Sequence, residues 1–153
     1  MTASLATIAL YLRVGLDTSL LHPDQARAWA LSVIERMDEP PTEIIDVSWQ
    51  QPLPQLIADL KSVPGDADQD LACGALLGML GERMASAGVD LHDTLAGILM
   101  VTGSFHDSER FDTFNMIADR LQLAHMDYGC TVQECQAAFD DAMKAYACAP
   151  LFP

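Results

Sequence analysis

Two cysteines five positions apart, Cys130 and Cys135, and two His-Asp dipeptides, His92-Asp93 and His106-Asp107, are the residues here whose types and spacing could do chemistry. Thiol pairs bind soft metals or cycle between dithiol and disulfide. The Cys130-x4-Cys135 gap is wider than the two-residue gap of zinc knuckles, and only His125 lies near enough in sequence to add a ligand. Between the cysteines, Thr131-Val132-Gln133-Glu134 spells a helix capping box. That makes Cys130 the N′ residue and Cys135 the N4 residue of the helix, the two positions of a hydrophobic staple, which cysteines can fill as small hydrophobes. The staple is the favoured reading over a metal or redox site. A nucleophilic Cys130 would gain from the helix N-terminus beside it, but the sequence supplies no oriented base.

The His-Asp pairs resemble the metal-binding element of helical phosphohydrolases, which hold divalent metals through a histidine, a His-Asp pair and a distant aspartate. The resemblance implies an alternative function, a divalent-metal hydrolase using these pairs. The upstream histidines fit poorly. His22 precedes His92 by seventy positions, whereas His92 precedes His106 by only fourteen. His92 and Asp93 also fit N2 and N3 of a helix capped by Asp90, where an acid favours the dipole. No Gly-rich phosphate loop, nucleophile elbow or basic recognition helix is present. Carboxylate clusters such as Asp66/Asp68/Asp70 and Asp140/Asp141 are read as solvated faces. The expectation is a chain that is not an enzyme and needs no cofactor or metal.

Charge narrows the partners. The 153 residues carry 22 acids against 8 Lys and Arg, a net charge of −14, and the pI is about 4.2. Residues 1–76 and 77–153 each hold 11 acids and 4 bases, so the excess is not confined to a tail. Phosphate backbones and anionic membranes repel such a surface. The longest apolar run, starting at Leu71, is far short of the ~20 residues of a membrane span. The N-terminal segment lacks a basic n-region and reads as a first helix, so four cysteines imply free thiols in a reducing cytoplasm.

The elements that must position these residues read as helices. A chain of this length can bury about 70% of its unfolded surface, and its Leu, Ala and Met bias with few β-branched residues favours helix. Helix spacing places a first helix over 4–14 stopped by Gly15, and a second from Pro23 to Met37 with Trp29 as core anchor. Short helices follow at 42–49 and 53–62, with Leu53, Leu56, Ile57 and Leu60 inward. A buried helix over 69–85, capped by Asp66 or Asp68, tolerates Gly74, Gly78 and Gly81 only if a neighbouring helix backbone approaches closely. Asp90 caps the next helix, another starts after the 104–108 loop, and a last one runs from Thr131 to Pro150. The expected fold is all-α: a compact single-domain bundle of six or seven helices with short loops, spanning 1–153.

"DEPPTEIIDVSW", residues 38–49, interrupts this pattern. Ile45, Val47 and Trp49 alternate like a strand, but no second strand is evident to pair with, and Thr42 is a fair N-cap. The balance tilts to a helical turn over an extended segment. Trp49 either packs inward between its neighbouring helices or stands at the surface.

An acidic helical body without a catalytic constellation points to a protein-binding module with a basic partner, since opposite fields speed encounter and fix register. In bulk properties alone it resembles bacterial immunity proteins and antitoxins, which neutralise basic nuclease-like toxins; no family residues carry over. The candidate partner-binding surface is Asp38, Glu39, Glu43, Asp46 and Trp49, with Asp66, Asp68 and Asp70 from the next long loop. The 104–109 loop, "SFHDSE", is a second candidate. A structural, self-associating protein is a further alternative, with an apolar patch around Leu151, Phe152 and Trp49; the expected state is a monomer or weak homodimer.

Overall fold

The computed structural model describes residues 2–152. Among them are eight helices and no strand: α1 (Leu5–Asp17), α2 (Pro23–Arg36), α3 (Thr42–Val47), α4 (Leu53–Lys61), α5 (Gln69–Ala87), α6 (Leu91–Ser104), α7 (Ser108–His125) and α8 (Val132–Tyr146). The all-α expectation holds, with one helix more than its upper count. The chain divides into two compact units, residues 1–72 with 150–153, and residues 73–149.

In the first unit α1 is capped by Ser4, whose hydroxyl accepts from the Thr7 N–H at 3.1 Å. The expected stop at Gly15 is wrong: the helix runs on to Asp17. Gly15 serves close packing instead, because a Cβ there would lie 2.3 Å from Leu21 Cδ1 as the chain folds back. Pro23 opens α2 as expected, and His22 completes its start. The His22 Nδ1 accepts from the Asp24 N–H at 3.1 Å, while Gln25 Oε1 accepts from the His22 N–H at 2.8 Å. Trp29 is fully buried with Ala26, Ala30 and Val33.

The 42–49 segment is helical through Val47, and α3 packs against α2 and α4. Pro41, not Thr42, is its N-cap residue, with no side-chain cap. The two prolines fix the entry to the helix, and Thr42 becomes its first residue. On α4, Leu56 and Leu60 are buried, but Leu53 is exposed and Ile57 half-buried, so the buried stripe is narrower than the spacing implied. Asp68 is the residue that caps α5, its carboxylate accepting from the Leu71 N–H at 3.0 Å.

The second unit carries most of α5 with α6, α7 and α8. Residues 72–77 of α5 are all buried, as expected for a helix apolar around its girth. Gly74 and Gly78 face the end of α8 and the chain that follows it. A Cβ on Gly78 would lie 1.8 Å from the Cys148 carbonyl oxygen, and one on Gly74 would lie 2.9 Å from that of Tyr146. The expected close approach is real, but it comes from the end of α8 and the extended residues beyond it rather than from a second helix flank. The Cys148 N–H donates to the Gly74 carbonyl at 3.0 Å there. Asp90, Asp107 and Thr131 cap α6, α7 and α8 through their side chains. Phe114 of α7 meets Phe139 of α8 edge-on at 6.0 Å, and Tyr146 at 6.2 Å.

Candidate functional site: an acidic corner around Trp49

The corner formed by α2, α3 and α4 gathers four of the acids singled out from sequence. Asp38 and Glu39 lie exposed in the turn that Pro40 and Pro41 close; Glu43 and Asp46 sit half-buried on α3. Because α3 has only six residues, its buried positions are Ile44 and Val47 alone. Ile45 and Trp49 therefore fall on the outer side, and Trp49 is 63% exposed. The surface alternative for this tryptophan is the one observed. Its backbone is held: the Trp49 N–H donates to the Asp46 carbonyl at 3.2 Å, which also accepts from Gln51 Nε2 at 2.8 Å.

No carboxylate of Asp38, Glu39, Glu43 or Asp46 has a cation or hydrogen-bond donor as partner among the described residues. Four of the eight basic side chains are engaged by near neighbours in sequence. Arg13 pairs with Asp17 at 3.8 Å, Arg27 with Asp24, and Arg110 with Asp107 at 2.5 Å. Arg36, nearest in sequence to the acidic turn, donates its Nε to the Ser32 carbonyl at 3.0 Å. Four unpaired carboxylates and an exposed indole thus fall within twelve consecutive residues, 38–49.

Asp66, Asp68 and Asp70 are placed differently. Asp70 is in the first turn of α5, not in the loop expected; the loop holding Asp66 and Asp68 is tied to the start of α1, where Ser4 Oγ donates to the Asp66 carbonyl at 3.3 Å and the Asp68 N–H donates to Thr7 Oγ1 at 2.9 Å. Asp68 is occupied as a cap. Sequence reading missed the apolar part of the corner. The large apolar side chains that stand exposed on the first unit, Leu31, Met37, Ile45, Trp49 and Leu53, all fall between residues 31 and 53. Spacing gave no warning for Leu53, which it placed inward, or for Met37, which follows the end of α2.

The other candidates are separate. His92 and Asp93 open α6, while His106 and Asp107 follow its last turn. Fourteen residues at about 1.5 Å each keep the pairs about 20 Å apart, so no single ion can be bound by both. Among the described residues no three His, Cys, Asp or Glu side chains converge as metal ligands. Asp107 is committed to α7: its carboxylate accepts from the Arg110 N–H at 3.1 Å and from the guanidinium. Burial pushes this carboxyl up, but the backbone bond, the side-chain bond and the charge of Arg110 outweigh it, holding the carboxyl below the usual carboxylate range. Arg110 also lies 5.2 Å from the Tyr146 ring centroid, and the Tyr146 hydroxyl meets Glu109 at 3.1 Å. The 104–109 loop borders a shallow pocket of about 300 Å³ with Thr102, Gly103 and Phe111. His106 reaches it in a left-handed conformation, φ 53°.

No family model, curated protein or solved structure matches the chain. Among the described residues, no helix is long and apolar enough to cross a membrane.

Proposed function

We propose that this chain is a protein-binding module that docks a basic protein through the Trp49 corner and performs no reaction itself. The observation that carries the reading is Trp49, 63% exposed at the end of a segment, 38–49, whose four acids have no cation partner among the described residues. Leaving a large indole in water forfeits its burial energy, which a partner's pocket would recover. The flanking carboxylates would meet Arg or Lys, hastening encounter and setting register. In bulk properties the module is like immunity proteins and antitoxins, and a basic toxin domain is the partner class favoured. Asp66, Asp68 and Asp70 would contribute long-range field, with Asp68 engaged as a helix cap.

The test is affinity capture from the native host at low salt. Captured protein should be basic and should elute as salt rises, and Trp49→Ala should weaken binding about 30-fold, the effect of a hot spot of about 2 kcal/mol. Replacing Asp38, Glu39, Glu43 and Asp46 by their amides should slow association and flatten its salt dependence. Capture of the same protein with unchanged affinity by both variants would refute the proposal.

A further inference from the structure

At the start of α8 the staple positions bring two thiols together. Cys130 Sγ and Cys135 Sγ stand 4.0 Å apart. Cys130 is half-buried and directs its S–H to the Arg120 carbonyl at 3.3 Å, so Cys135 is the donor between the two sulfurs. Cys135 is 2% exposed. Packing alone would be served by any pair of small apolar side chains. Two sulfurs in contact, one open to solvent and one behind it, additionally have the layout of an attacking and a resolving thiol. The segment leading to them is a turn: Asp127 and Gly129 have φ of 59° and 76°, and Met126 and Tyr128 are exposed.

We propose that Cys130 and Cys135 are a thiol–disulfide switch, closed by a low-molecular-weight disulfide, that staples the α7–α8 turn covalently to the first turn of α8. The accessible Cys130 thiolate attacks one sulfur of the small disulfide, forming a mixed disulfide and releasing one small thiolate. Cys135 then loses its proton to solvent, and its thiolate attacks Cys130 Sγ, expelling the second small thiolate. Overall, two protein thiols are oxidised to one protein disulfide and one small disulfide is reduced to two thiols. Burial of the Cys135 thiol, followed by its hydrogen bond with Cys130, pushes its pKa up, so the resolving step should accelerate as pH rises. The bond would fix a turn whose exposed apolar side chains, Met126 and Tyr128, change presentation with redox state. The switch lies in the second unit and stands or falls independently of the Trp49 surface.

The experiment treats the full chain with excess oxidised glutathione, then blocks remaining thiols and maps the peptides by mass. The expected result is a 130–135 disulfide, with Cys73 and Cys148 alkylated and no retained glutathione. Cys135→Ser should instead hold glutathione on Cys130, and Cys130→Ser should show neither bond nor adduct at this site. Amide exchange at the first turn of α8 should slow on oxidation of the wild type. Four alkylated thiols after treatment, a stable glutathione adduct on wild-type Cys130, or a bond mapped to another pair would overturn the proposal.

Discussion

Trp29 and Trp49 show how one residue type takes opposite roles in one chain. Trp29 sits in the middle of a long helix with apolar neighbours three and four positions away, and burial follows. Trp49 lies just beyond a six-residue helix whose buried positions are already taken by Ile44 and Val47, so nothing covers it. The first placement was legible from spacing. The second was not, because five residues fit a strand and a helix equally well and only the helix turns Trp49 outward. Asp107 poses a similar contrast, since a His-Asp dipeptide gives no hint that its acid caps α7 and binds Arg110. Asp107→Ala should lower stability by about 1 kcal/mol, measured as a urea midpoint, through loss of the cap. The carboxyl titrates lower in the native than in the unfolded chain. Its contribution is therefore complete above the ordinary carboxylate pKa and disappears as pH falls through the native value, below about pH 4. Urea midpoints of wild type and Asp107→Asn should converge on acidification; a gap that widens there would contradict the assignment.

At the scale of elements, helix existence was readable because caps and apolar periodicity agree: Asp90 and Thr131 each precede an apolar stripe and each caps a helix, while Ser4, read as the first helical residue, is the cap of α1. Ends were less readable. Gly15 looks like a stop yet sits inside α1, because glycine's absent side chain was needed for Leu21 rather than for a turn. The glycines of α5 separate by what they face. Gly78 meets the Cys148 backbone carbonyl, which cannot move without displacing the strap after α8, whereas Gly81 meets only the flexible end of Met143. Gly78→Ala should cost about 3 kcal/mol or prevent folding, as overpacking against backbone does. Gly81→Ala should stay within about 1 kcal/mol of wild type, its gain in helix propensity offsetting a small shift of the methionine. Thermal unfolding of the pair checks this, and equal losses would show that the strap does not set the requirement.

Across the whole molecule the dominant quantity is charge. With 22 acids and 8 basic side chains, several of the latter paired within their own helices, the native surface repels itself. Raising NaCl from about 0.01 M, where the screening length is about 30 Å, to about 0.15 M, where it is about 8 Å, should raise the unfolding temperature. The same salt should weaken any complex with a basic partner. These opposite responses separate repulsion within the fold from attraction between proteins. The sign and spread of the charge were fully legible in the sequence; the exposure of Trp49 at the end of an acidic segment required the helix faces to be known. The measurement closest to the central claim uses a Trp29→Phe chain, in which Trp49 is the only tryptophan. Its fluorescence should be quenched readily by acrylamide in the free protein, then shift to the blue and lose that sensitivity when the basic partner binds. A complex that forms with Trp49 still as quenchable as before would contradict the account.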